Sequence, residues 1–168
     1  MRLFVAVWPP PEVVRELAAL PRPSAEGVRW TTAEQWHVTL RFLGELPDAA
    51  GLCDALRAAP LARVPAAMGP LAERPSPMLL WLPVAGLDDL AAAVIAATAA
   101  LGQREERAFR GHLTLARARP RTPRGALRRL TPLALSASWD VEEVTVVRSA
   151  TGGTGSRYEV VERFPTGP

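Results

Sequence analysis

Trp36 to Leu43, WHVTLRFL, is the stretch on which the reading of the whole chain turns. Its residues alternate as those of a half-buried strand do, with Val38 and Leu40 on one face and His37, Thr39 and Arg41 on the other. Gly44 and Pro47 close it. The second half of the chain carries a near copy, FRGHLTLAR from Phe109 to Arg117, in which Leu113 and Leu115 face away from His112 and Thr114. The protein has two histidines, and both stand in H-x-T-L. With 11 Thr and 22 Leu among 168 residues, chance places Thr at +2 and Leu at +3 of a given His at roughly 0.9%, and of both at roughly one in ten thousand.

Moving outward, the two copies sit in similar settings. Arg2 to Trp8 (RLFVAVW) reads as a buried strand closed by three prolines. A helix from Pro11 to Leu20 follows, and Val28 to Thr32 is a short extended segment. Beyond WHVTLRFL, Asp48 to Ala59 reads as a helix with Asp48 as N-cap. Ala66 to Glu73 is a weak strand broken by Gly69 and Pro70. Met78 to Val84 (MLLWLPV) is a stronger strand, with Pro83 placing its end near a sheet edge. Leu87 to Leu101 is an alanine-rich helix stopped by Gly102. Ala108 to Ala116 is a strand and Pro123 to Leu130 a short helix. Val141 to Ser149 and Tyr158 to Phe164 are strands joined by the glycine-rich loop Thr151 to Ser156, which has no Walker lysine and reads as a hairpin.

Strand, helix, strand therefore occurs twice, each time ending on H-x-T-L. The expected fold is α+β: two pseudo-symmetric lobes, each a mainly antiparallel sheet with outer helices, and a cleft between them. Residues 1–168 are expected to form one domain of two interleaved lobes produced by internal duplication.

Composition sets the outer limits. At 168 residues and 48% hydrophobic, the chain can bury a core without a metal or disulfide staple. The nearly apolar stretch Leu90 to Leu101 is too short to span a bilayer, and MRLFVAVWPPP lacks the pattern of a signal peptide. One cysteine, Cys53, excludes an intrachain disulfide, so a cytoplasmic monomer without membrane contact is expected. All 20 basic residues are arginine. Nine of them lie between Arg104 and Arg129 against Glu105 and Glu106, so this segment carries +7 of a chain total of +3. Guanidinium pairs well with phosphate oxygens. The same segment is also consistent with a solvated surface in an arginine- and alanine-biased chain.

In a strand, side chains at i and i+2 share a face about 6–7 Å apart. Two such strands side by side would converge two imidazoles and two hydroxyls on one cleft. That set lacks the carboxylates a divalent ion needs, and Cys53 has no base nearby in sequence. It suits acid–base catalysis without metal or cofactor, one neutral His taking a proton while the other, charged, gives one. The threonines would donate to phosphate oxygens. A non-catalytic RNA- or nucleotide-binding module and a two-histidine metal site stand as alternatives, the latter decided by adding EDTA to an assay.

Paired H-x-T-L motifs 75 residues apart resemble the 2H phosphoesterase superfamily and, within it, the bacterial RNA 2′,3′-cyclic phosphodiesterase (2′-5′ RNA ligase) family. The likeness extends through RLFVAVWPP, WHVTLRFLGE, LLWLPV, RAFRGHLTLAR and the close from Ser149 through Gly155 to Tyr158. It implies hydrolysis of an RNA-terminal 2′,3′-cyclic phosphate to a 2′-phosphomonoester, with 2′-5′ ligation as the reverse. RNA ends or nucleoside cyclic phosphates are then the partners. His37 resembles the proton donor to O3′ and His112 the base that activates water, while the near-identical motifs leave the two roles open. Family members commonly carry Pro before the second His; here Gly111 stands there, which loosens the backbone at His112.

Further substrate-binding candidates flank the motifs. Arg41 shares the His37 face by alternation, and Arg110 has the parity of His112. Arg117 matches the family's H-x-T-L-x-R arginine, but alternation puts it on the opposite face unless a bulge intervenes. Phe42 and Phe109 could stack on a base, although core packing is the commoner use of such aromatics. Trp30, Trp81 and Trp139 read most simply as core.

Overall fold

The computed structural model describes all residues except 105, 106, 153, 154 and 168. Among the described residues, ten strands and three α-helices follow the order β1 (Arg2–Val7), α1 (Pro11–Ala19), β2 (Val28–Trp30), β3 (Val38–Glu45), α2 (Ala50–Arg57), β4 (Pro65–Met68), β5 (Glu73–Ser76), β6 (Leu79–Ala85), α3 (Asp88–Ala97), β7 (His112–Ala118), β8 (Ala137–Asp140), β9 (Glu143–Gly152) and β10 (Gly155–Pro165). The strands pair antiparallel in the order β10-β9-β1-β3-β7-β6-β4-β8, with β2 added to β7 and β5 to β6. The order divides at the centre into two lobes, β10-β9-β1-β3 and β7-β6-β4-β8. Their strands join in register at one residue pair, Val38 opposite Leu113. Among the described residues no helix is long and apolar enough to cross a membrane.

Each element follows from its residues. The run Leu3 to Val7 is buried on both faces, as a near-continuous apolar strand must be. Pro11 opens α1 where a missing N–H costs nothing, and Val13 and Leu17 bury one stripe of it. Leu90, Ala91 and Val94 seat α3 in the core. Beyond its end, Gly102 at φ 61° turns the chain back toward β3.

Several boundaries differ from expectation. Gly44 stays inside β3 at φ 76° instead of ending it, and α2 begins at Ala50, with Asp48 accepting the Ala50 N–H at 2.9 Å. Trp36 and His37 precede β3, and residues 108–111 precede β7. The expected helix over 123–130 reduces to a 3₁₀ turn, Leu127–Leu130. Pro83 lies on an interior strand, not near an edge. The Val84 N–H points to β7, where it meets the Gly111 carbonyl, so the missing Pro83 donor faces the gap where β5 pairing ends and β4 pairing begins. The β9–β10 ladder runs to Gly152 opposite Gly155; the tip of the expected hairpin loop lies outside the described residues.

Two β-bulges decide what faces the cleft. In β3, Thr39 pairs with Ala6 and Arg41 with Val5, leaving Leu40 as the extra residue. In β7, Thr114 pairs with Trp81 and Ala116 with Leu80, leaving Leu115 extra. Each bulge lies one residue beyond the threonine and reverses the alternation after it. Arg41 is thereby turned into the core, 2% exposed, and Arg117 is turned out to the cleft.

Candidate active site

A cavity of about 330 Å³ lies over the β3–β7 seam. Val38 and Leu113 face each other at the one residue pair that joins the strands, so His37, Thr39, His112 and Thr114 all flank that pair. All four line the cavity, together with Arg29 of β2, Arg117 at the end of β7 and Tyr158 of β10. Neither threonine hydroxyl has a hydrogen-bond partner among the described residues, so both remain available to a ligand.

The histidines are wired alike. His37 Nδ1 lies 2.8 Å from the Gln35 carbonyl, and His112 Nδ1 lies 2.7 Å from the Arg110 carbonyl. A carbonyl only accepts, so each ring carries its proton on Nδ1 and leaves Nε2 for the cavity. Gln35 is itself held. A Thr32–Gln35 capping box fixes the 3₁₀ turn Ala33–Gln35, and the Gln35 amide donates to the Ser156 carbonyl at 2.8 Å.

Their surroundings are unlike. Phe4, Trp8 and Tyr158 ring His37 at centroid distances of 5.0, 5.2 and 4.9 Å. Burial pushes the His37 pKa down to about 4; the Gln35 carbonyl opposes this, and Arg117 and His112 add to it. His112 has one ring against it, Trp81 at 3.9 Å. Its pKa is also lowered, first by burial and then by the charges of Arg117 and Arg110, against the pull of the Arg110 carbonyl. Glu73 on β5 pairs with Arg110. It accepts from Arg110 at 2.7 Å and from the Trp81 indole at 3.2 Å, while the Arg110 guanidinium sits 5.1 Å over the Trp81 ring.

His37, Thr39, His112, Thr114 and Arg117 share the cavity; the other sequence candidates do not line it. Arg41 is a correction: its guanidinium donates to the Ile95 and Leu101 carbonyls and to Thr98 Oγ1, tying β3 to the end of α3. Phe42 packs with Phe4 and Val147, and Arg2 covers its ring at 4.9 Å. Phe109 packs on the main core. Arg110 lies at the rim, held by Glu73. Gly111 is not loose: its carbonyl accepts from Val84 at 2.9 Å, and a Cβ there would meet the Val84 carbonyl oxygen at 2.1 Å. Trp81, read as core, also presents a face to His112. Gln35, Tyr158 and Arg29 carried no local signal, since the sheet brings them in from separate elements. Cys53 is buried in α2, its thiol pKa raised to about 11 chiefly by burial. Among the described residues no three His, Cys, Asp or Glu side chains are placed to hold a metal ion.

Residues 7–153 match the 2′-5′ RNA ligase superfamily, and the chain belongs to that superfamily. It is 34% identical over 151 residues to an RNA 2′,3′-cyclic phosphodiesterase of Geobacillus stearothermophilus. That match takes in 81% of this chain and 47% of that protein, so the chain spans about half the length of this relative. Among solved structures, TT0787 of Thermus thermophilus superposes with a TM-score of 0.77 at 28% identity, covering 98% of this chain and 97% of that one. E. coli LigT in complex with 3′-AMP superposes with a TM-score of 0.76 at 25% identity, with the same coverage.

Proposed function

We propose that the protein hydrolyses RNA-terminal 2′,3′-cyclic phosphate to a 2′-phosphomonoester by acid–base catalysis between His37 and His112. The observation that carries this reading is the matched wiring of the two imidazoles, each clamped at Nδ1 by the carbonyl two residues upstream and each lining one cavity. The names of the Geobacillus and E. coli relatives, a cyclic phosphodiesterase and a 3′-AMP complex, support a nucleotide substrate.

In this scheme neutral His112 takes a proton from water as the water oxygen attacks phosphorus. The P–O3′ bond breaks, and charged His37 gives its Nε2 proton to O3′. Thr39, Thr114 and Arg117 hold the non-bridging oxygens as charge builds on them. The lower pKa of His37 makes its charged form the stronger acid, but it also leaves a proton shared in the free site on His112, so the proton must reach His37 with the bound substrate before this step. Both rings are neutral in the free site at pH 7, so the phosphate anion must help to bring in the one proton the reaction needs. A 5′-hydroxyl in place of water gives 2′-5′ ligation by the same steps. The chain is read as one domain arising from duplication, which the matching strand order and the two equivalent bulges support.

The test is turnover of a nucleoside 2′,3′-cyclic phosphate in EDTA, with the product identified by phosphorus NMR. A 2′-phosphomonoester is expected. Binding without turnover would favour the non-catalytic module, and activity restored only by a divalent ion would overturn the mechanism.

A further inference from the structure

Several arginines are neutralised by carboxylates: Arg57 by Asp54 and Glu162, Arg110 by Glu73, Arg148 by Glu159 and Arg163 by Glu143. A second group is not. Arg74, Arg119, Arg121, Arg124 and Arg128 are exposed and have no ion-pair partner among the described residues. Three of them, Arg74, Arg124 and Arg128, wall a separate cavity of about 620 Å³ between the β5–β6 turn and the Leu127–Leu130 segment. Pro75, Pro77 and Leu127 supply its apolar surface, and no acidic side chain lines it.

Backbone contacts link this cavity to the one that holds the histidines. Ala118, a wall of the first, donates its N–H at 3.0 Å to the carbonyl of Met78, which follows Pro77 of the second. Arg119 lines the first cavity and Arg124 the second. Five residues extend at most about 18 Å, and the Thr122 N–H to Arg119 carbonyl bond shortens this path. Closely spaced uncompensated guanidinium groups repel one another, a cost that a row of phosphates removes.

We propose that the Arg74–Arg124–Arg128 cavity docks phosphates of single-stranded RNA upstream of the reacting end, so that the preferred substrate is an oligoribonucleotide. The proposal rests on the cyclic-phosphate reading only for where the RNA terminus lies; RNA binding at this surface is measured independently. Each phosphate neutralised on a single strand contributes a slope of about −0.7 in log K against log salt. The Arg74→Ala/Arg124→Ala/Arg128→Ala variant should therefore lose about 2 units of slope.

The experiment measures fluorescence anisotropy of a 5′-labelled 12-nucleotide RNA between about 50 and 200 mM salt, with wild type, the triple alanine variant and the triple lysine variant. Expected are the reduced slope and roughly ten-fold weaker binding for the alanine variant, a slope near wild type for lysine, and unchanged kcat/KM on a nucleoside cyclic phosphate. An unchanged slope in the alanine variant, or displacement of RNA by poly-glutamate at equal charge, would overturn the proposal. A slope lost as expected in a protein that hydrolyses neither substrate would support the docking site and refute the catalytic reading. Equal melting temperatures confirm that the variants fold.

Discussion

His37 and His112 hold the same place in the same tripeptide, yet three aromatic rings surround the first and one covers the second. Strand register and the carbonyl clamp give the two imidazoles one geometry. The residues packed against them, drawn from β1 and β10 on one side and from β5 and β6 on the other, give them different proton affinities. Geometry thus comes from the repeated motif and acidity from its unrepeated neighbours.

The severest way to break the comparison is to delete either ring. His37→Ala and His112→Ala should each lower turnover of a cyclic phosphate by about 10²- to 10⁴-fold without unfolding the protein. Near-normal turnover in either would remove the two-histidine mechanism. Thr39→Ala and Thr114→Ala should each cost about 1–3 kcal/mol of transition-state stabilisation, read as kcat/KM, through lost hydrogen bonds to phosphate. Threonine variants indistinguishable from wild type would take the hydroxyls out of the site.

Glu73→Gln sharpens the comparison by changing only the His112 side. It keeps an acceptor for Trp81 but leaves the Arg110 charge unbalanced beside His112, which lowers the His112 pKa further. The expected result is a few-fold loss at pH 6 and an acidward shift of the limb that titrates mainly His112. A loss equal at every pH would mean that Glu73 acts only through packing. The smallest effect concerns stability. His37 binds its proton near pH 4 in the folded chain and near 6.5 when unfolded, so stability is fully present above about 6.5 and is lost as pH falls toward 4. His37→Gln should flatten that part of the denaturation profile; an unchanged pH slope would show that His37 is not held neutral.

Much of this arrangement can be read from the chain. WHVTLRFL and FRGHLTLAR announce strands, prolines and glycines punctuate them, and the shared H-x-T-L brings His37, Thr39, His112 and Thr114 to one cavity. The bulges cannot be read the same way. An extra residue at Leu40 or Leu115 is defined only against the partner strand, and each inverts the faces assigned by alternation. That is why Arg41 reads as a cleft residue and is a core one, while Arg117 requires the bulge to reach the cleft. Gln35, Tyr158 and Glu73 stay silent for another reason. They meet the histidines, or the Arg110 beside His112, through long-range packing and backbone carbonyls, which have no sequence signature.

The most direct measurement is the pH dependence of kcat/KM on a nucleoside 2′,3′-cyclic phosphate from about pH 4.5 to 9.5, with EDTA present throughout. In the proposed mechanism the reactive free enzyme carries one proton shared by the two rings, and burial lowers both pKa values below the usual 6.5. The account predicts a bell with its maximum below pH 6.5, its limbs belonging to the coupled pair. A rate that rises steadily through pH 9, or one abolished by EDTA and restored by a divalent ion, would indicate metal-bound hydroxide and contradict it.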